Sequence, residues 1–377
     1  MGREHSILVR ELCRRANESY AASGFSQEPD LDELVLSIIK DPAVVPKDVK
    51  TKAAEDVERI ATDRSRQCHI LATEISNMHG GLLDQLDLCV SFADYLNKRL
   101  VRAVFKHGKS LRSKNPRPRA GYVTGAMLKS ILLLALHAKV CTMSAEISCL
   151  LKNGFSDGAF SRVRSVYEHL VVISLIAVDD TYVVSERYQD YACFEELSRL
   201  RALKESFEDP ATRSRHDRTK ESELDAAISE LETAAREARA LWGRNISQAN
   251  DWARPALSPA KQRKAKIDFT DLEEAVFMRP YRWIYLGGNQ RIHAGAFSTI
   301  NHMNFESRDI SNLHSTQGRR DNDGLATTGW WTVTFIDRAT YLVARSVAAE
   351  IDEIDELLYL CEMESLIEGT LEKFLSA

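Results

Sequence analysis

A chain of 377 residues with 44% apolar and 28% charged side chains can bury one large core or two or three smaller ones, which excludes disorder as the default. Nine prolines and seventeen glycines are few for this length, and they cluster between stretches rich in Ala, Leu, Glu, Lys and Arg, which excludes a turn-rich β architecture. The formal net charge is −5, yet no Asp or Glu occurs between Asp94 and Glu146 while eleven Lys and Arg do, so the charge is partitioned along the chain.

The opening Met1-Gly-Arg-Glu-His-Ser lacks the apolar core and small-residue cleavage site of a secretory signal, so an intracellular, cytoplasmic protein is expected. Helical periodicity begins with Ile7, Leu8 and Leu12, resumes over Leu31–Lys40, and runs across Val49–Met78 until Gly80-Gly81 is expected to interrupt it. Leu82–His107 predicts a further amphipathic helix. Gly108–Gly121, with Pro116 and Pro118 among Arg and Lys, predicts a solvated basic loop.

Val123–Lys152 predicts a long helix ending at Asn153-Gly154, a left-handed stop. Its longest apolar run, Ser130–Leu136, is far short of the ~20 residues that span a bilayer, so it reads as a buried helix centre and no membrane partner is expected. A second helix follows, with Ser156 and Asp157 as candidate N-caps, through Val178. Asp179-Asp180 separates it from a third covering about 182 to 208. Lys220–Trp242 carries a narrow stripe, Leu224, Ile228, Leu231 and Ala235, suited to packing on the protein's surface, on a partner protein or in a homodimer.

Asn245–Lys266 reads as a loop or linker. Thr270-Asp-Leu-Glu273 reads as a capping box opening a helix that Pro280 closes, and Tyr281–Met303 as a broken helical region holding Gly287-Gly288, His293 and Gly295. After the polar segment Ser307–Thr328, a helix is expected from Trp330 into an acidic amphipathic tail, Ala348–Phe374. The fold class is therefore all-α: a multi-helix bundle with a long central helical hairpin and irregular basic and polar loops. Its regions are an N-terminal one (1–121), a central one (122–305) and C-terminal helices packing back on the core (306–377). The seven cysteines lack a Cys-x-x-Cys pair and read as reduced core thiols.

Gly154-Phe-Ser156-Asp-Gly158 fits the Gly-x-Ser-x-Gly pattern of serine hydrolases, but a helix precedes it instead of a strand, and the turn reading leads. Gly108-Lys109-Ser110 lacks the earlier glycine and the strand of a phosphate-binding loop. Neither a His-x-x-x-His nor a Glu-x-x-His pair is present, so no metal and no cofactor is expected. The basic stretch, Lys98, Arg99, Arg102, Lys106, Lys109, Arg112, Lys114, Arg117 and Arg119 with Tyr122, suits the phosphate backbone of RNA. It is also a plain solvated face with a loop, and that reading leads, because the overall charge is negative and no aromatic interleaving is present.

The richest constellation is Arg162-Val-Arg164-Ser-Val-Tyr-Glu168-His169, in which Arg164 and Glu168 lie one helical turn apart while Arg164 and His169 are separated by roughly 140° about the axis. Together with Gly154, Glu186-Arg-Tyr188, Tyr285 and Arg291-Ile-His293-Ala-Gly295, it resembles DUF5677, an uncharacterised family of helical prokaryotic proteins, over roughly residues 125–305. The resemblance implies that Arg164, Glu168 and His293 are recurring features. Separately, the Arg-x-x-x-x-His spacing resembles the signature of the HEPN superfamily of toxin–antitoxin and antiviral systems. That resemblance implies a metal-independent ribonuclease built at a dimer interface, with His169 in general acid/base work and Arg164 on the phosphoryl charge. The alternative is a non-catalytic binding or sensor module in which Arg164, Glu168 and His293 form a buried polar network.

Overall fold

The computed structural model describes residues 47–114, 123–208, 218–292, 324–352 and 355–376, a few positions between 14 and 37, and the short segments 304–305 and 313–315. By its contacts the chain divides into two compact units, 1–73 and 74–377. In the first, Arg15 donates to the Ser37 hydroxyl at 3.2 Å. The second holds the bundle and every described candidate residue.

Helix α1 (Lys47–Lys106) passes through Gly80-Gly81 without a break. Two glycines cost about 1 kcal/mol each in a helix, and the strong apolar repeat that follows, Leu82, Leu83, Leu86, Val90, Ala93, Leu96, Leu100 and Val104, all buried, offsets it. The basic segment also departs from expectation: helix resumes as α2 (Gly108–Ser113), held by the buried Leu111, and the backbone becomes extended only at Lys114. Residues 115–122, including Arg117, Arg119 and Tyr122, lie outside the described residues.

Helices α3 (Gly125–Lys152) and α4 (Ser156–Ala177) form the expected central hairpin. Gly154 closes α3 at φ 74°, where a side chain would be strained, and Phe155 N–H bonds back to the Leu150 carbonyl at 2.9 Å. Ser156 and Asp157 are not the N-cap: that position is Phe155, and both residues occupy the first turn. Asp157 still lies where the helix dipole favours an anion. By length and composition α3 is apolar enough to cross a membrane, but 67% of its most apolar window is buried within the protein.

Helix α5 (Val183–Glu208) pairs with α6 (Arg218–Trp242), whose stripe turns inward at Leu224 and Ala235. The Arg201–Glu232 and Lys204–Asp225 ion pairs, both at 2.7 Å, flank that contact. The segment expected to be a linker instead packs as two 3-10 turns (Arg244–Ser247 and Asp251–Ala256) and a short α7 (Pro259–Gln262), with Ile246, Trp252, Ala253 and Leu257 buried. Its apolar positions are few, but the large ones are all buried. Helix α8 (Phe269–Ala275) is boxed by Asp268 and Asp271, two residues before the expected pair, because Asp271 reaches back to the Asp268 N–H at 3.0 Å. Pro280 does not close α8. It opens a 3-10 turn (Arg279–Tyr281) that leads into α9 (Arg282–Ile292).

Helix α10 (Leu325–Ile351) starts five residues before Trp330 and ends where Asp352 turns left-handed at φ 57°, and α11 (Asp355–Ser376) folds back on it. Gly329 makes this return close enough to seat Phe374, since a Cβ there would lie 2.1 Å from the Phe374 ring. Two short strands, Asn304–Phe305 and Leu313–Ser315, pair antiparallel. The protein is thus an all-α multi-helix bundle in which α4 is wrapped by α3, α9 and α10. Cys89 and Cys141 are core thiols as expected, but Cys149 is exposed.

Candidate functional site

The site begins with how α9 reaches α4. Gly287 and Gly288 do not break α9; they are its contact surface. A Cβ on Gly288 would lie 2.6 Å from Arg164 Cβ, and one on Gly287 3.2 Å from the Phe160 ring. Bare backbone there lets each helix lend an arginine to the other's aromatic ring: Arg164 of α4 lies 4.8 Å from the Tyr285 ring centre, and Arg291 of α9 lies 4.0 Å from that of Phe160. Arg291 also pairs with Asp157 at 2.8 Å. Gly288→Ala should therefore cost about 1–3 kcal/mol, the range for overpacking, read as a lower urea midpoint at an unchanged slope.

Within this seam Arg164 donates from Nη2 to Glu168 Oε1 at 3.0 Å and to the Tyr285 hydroxyl at 3.4 Å. Its Nε is buried with no hydrogen-bond partner, so the guanidinium is held only from its outer edge. Partial burial raises the Glu168 pKa, and Arg164 opposes the rise. Beneath the pair, the fully buried Tyr167 hydroxyl lies 3.0 Å from both Glu273 Oε1 and the Met278 carbonyl, and Arg282 neutralises Glu273 from 2.6 Å. Burial and the neighbouring Glu273 keep that phenol far above its ordinary range, so it acts as a fixed donor tying α4 to α8.

His169 occupies a different setting. Its Nδ1 lies 2.8 Å from the Ser165 carbonyl, which fixes that nitrogen as the protonated one and leaves Nε2 an acceptor. Burial lowers its pKa. The Ser165 carbonyl opposes this, and Lys139 and Arg162 lower it further. The imidazole is neutral at pH 7. The structure thus brings Arg164 and Glu168 together, while among the described residues no hydrogen bond joins His169 to either of them. His293 lies outside the described residues. A groove of about 540 Å³ between α5 and α6, lined by Phe194, Leu197, Arg201, Glu205, Arg239 and Ser247 among others, contains none of these residues.

Of the basic stretch, Arg102, Lys106, Lys109 and Arg112 are exposed and Arg99 is half-buried. Lys114 is committed elsewhere: it donates to the Glu350 carbonyl at 2.5 Å and to Asp352 at 3.3 Å. The expectation that aromatics are missing from this surface is corrected. Tyr95 and Phe105 stand 47% and 72% exposed among these cations. Counting at 100° per residue would have found them, because Tyr95, Lys98, Arg99, Arg102, Phe105 and Lys106 fall within roughly 120° of the α1 circumference.

The Glu186-Arg187-Tyr188 motif was legible, but its partners were not. Glu186 meets the Gly125 N–H at 3.4 Å, Arg187 pairs with Asp251, and Tyr188 packs edge-on against Trp252 at 4.7 Å. A comparison bears on this region. Residues 130–310 match the model of DUF5677, a family of unknown function. This segment is similar to that family. It contains both the α4–α9 seam and the Arg187–Asp251 hub. No curated protein and no solved structure matches the chain. Among the described residues, no group of three His, Cys, Asp or Glu side chains is disposed to hold a metal ion.

Proposed function

We propose that the protein is a cytoplasmic helical module that binds RNA through the basic face of α1 and α2, while the Arg164–Glu168 pair of the DUF5677-like segment fixes α4 against α9. The supporting observation is that Arg102, Lys109 and Arg112 are exposed and bonded to no carboxylate among the described residues. Other surface cations are matched: Lys98 with Asp94 on the same helix, and, elsewhere, Arg162 with Glu146, Lys152 with Asp87 and Arg199 with Glu196. Unmatched cations on one face keep their charge for an anionic ligand and release counterions when it binds. RNA affinity should fall steeply with salt. Reversing Arg102, Lys109 and Arg112 to Glu should reduce the log–log salt slope by about 2, at about 0.7 per lost contact on a single strand. Fluorescence anisotropy that finds no binding at low salt, or binding indifferent to these reversals, ends this reading.

One observation favours a second reading, a HEPN-like, metal-independent ribonuclease of a defence or toxin system. The neutral His169 has its tautomer set by Ser165 and an available Nε2, as a general base requires. Because Arg164 faces the α9 seam, this reading needs a second copy of the chain to bring a cation to His169. It predicts RNA cleavage in EDTA that is lost in His169→Ala at an unchanged melting temperature. Cleavage surviving that substitution removes His169 from the chemistry.

A further inference from the structure

We infer that the α1 face selects unpaired over duplex nucleic acid, with Phe105 and Tyr95 as stacking platforms for bases and the surrounding cations on the phosphates; this rests on the RNA-binding reading above. On α1, Leu96, Leu100, Ala103 and Val104 are buried on one side, while Tyr95, Lys98, Arg102, Phe105 and Lys106 occupy the other. Phe105 lies largely outside the core: at 72% exposure it is among the most exposed large apolar side chains of the described residues, and its neighbours on that face of α1 are Arg102 and Lys106. The two rings are separated by about 15 Å along the axis, at 1.5 Å per residue, so they serve different bases, with Arg102 and the Asp94-paired Lys98 between them.

The occupant follows from chemistry. An aromatic ring flanked by cations rewards a ligand that carries both flat π-faces and negative charge at short intervals, which describes a nucleic acid strand. In a duplex the base faces are covered by their neighbours, so the rings contribute only to an unpaired strand, whereas the cations contribute to both forms. An anionic membrane is the poorer fit. An interfacial helix lays a broad apolar face into the lipid, and the broad apolar face of α1 between Leu82 and Val104 is already spent on the core.

The test uses the full chain and a labelled mixed-sequence RNA of about 16 nucleotides, alone or annealed to its complement. Wild type should bind the single strand more tightly than the duplex. The Tyr95→Ala/Phe105→Ala variant should lose about tenfold or more on the single strand and under about twofold on the duplex, with Phe105→Trp retaining affinity. Both aromatic sites are solvent-exposed, and an unchanged melting temperature confirms the fold. If wild type binds neither form, the RNA-binding reading fails and this inference falls with it. If wild type binds both forms and the aromatic variant weakens both equally or neither, the electrostatic reading stands and the stacking inference is overturned. Binding to phosphatidylserine vesicles that requires Phe105, without RNA binding, also overturns it.

Discussion

Asp251→Ala should lower the unfolding free energy by about 3–5 kcal/mol, the cost of leaving a buried charge without its counterion. Asp251 is 1% exposed and Arg187, its partner on α5, 6%. Arg187 donates through Nη2 to the Asp251 carboxylate at 2.7 Å and to its carbonyl at 2.8 Å, and through Nε to the Trp252 carbonyl at 3.2 Å. Arg254 binds the other carboxylate oxygen through Nε at 2.7 Å. The Arg187 guanidinium also lies 5.4 Å from the Trp242 ring centre, and Trp242 donates its indole N–H to Asp190 at 2.6 Å. The Asp251 carboxylate therefore joins α5 to the 3-10 segment, and Arg187 carries the contact on to Trp242 at the end of α6. Removing the carboxylate strands the Arg187 cation in a site almost sealed from solvent.

Arg187→Met should be similarly costly alone. The double variant should be less destabilised than the sum of the two single variants, because the second change removes the charge that the first left stranded. Urea unfolding followed by tryptophan fluorescence measures all three. A single-variant loss under about 1 kcal/mol would place the pair among solvent-screened bridges and remove its role as the hub of this part of the domain.

The helices were legible because their apolar repeats are long and one-sided: the α3–α4 hairpin, its Gly154 stop and the α5 span all follow from periodicity and turn chemistry. Glycine was the main source of error. A Gly-Gly pair carries the same local signal whether it ends a helix or lets another helix approach it, and only the neighbour distinguishes the cases. Gly287-Gly288 touches Phe160 and Arg164, residues more than 120 positions earlier in the chain, so no local window contains the reason for it.

The Asn245–Lys266 segment was misread for a related reason. Trp252 and Asp251 look like an isolated ring and a surface charge until α5 supplies Tyr188 and Arg187. For the site, the Arg164–Glu168 pair was readable because i and i+4 share a helix face. That His169 turns toward Ser165, Lys139 and Arg162 follows from the same arithmetic, which already separates it from Arg164 by roughly 140°.

Acid should weaken the fold through His137 by up to about 3 kcal/mol between pH 6.5 and pH 4. This imidazole is fully buried on α3 between α1 and α10, and neither ring nitrogen reaches water. Asn97 Nδ2 approaches Nδ1 at 2.9 Å and can only donate, so Nδ1 accepts. Nε2 therefore carries the proton and donates to Thr340 Oγ1 at 2.8 Å, and the Thr340 hydroxyl in turn donates to the Ile336 carbonyl at 2.6 Å. Protonating Nδ1 would set two donors against each other in a site without solvent. Burial accordingly lowers the His137 pKa from 6.5 to about 4, with Asp94 pulling weakly the other way.

Above pH 6.5 the ring is neutral in both folded and unfolded chains and contributes no pH dependence. Between pH 6.5 and 4 the unfolded chain takes up a proton that the folded chain refuses, so stability falls as pH falls, and below pH 4 the loss levels off. Carboxylates titrate in the same window, which makes the comparison between variants the decisive measurement. His137→Gln should be less stable than wild type at pH 7, and the gap should narrow by about 3 kcal/mol on going to pH 4, because the variant has no proton to refuse. Parallel stability curves for the two proteins from pH 7 to pH 4 would mean that His137 charges without opening the junction of α1, α3 and α10, and that the sealed hydrogen-bond relay does not hold in solution.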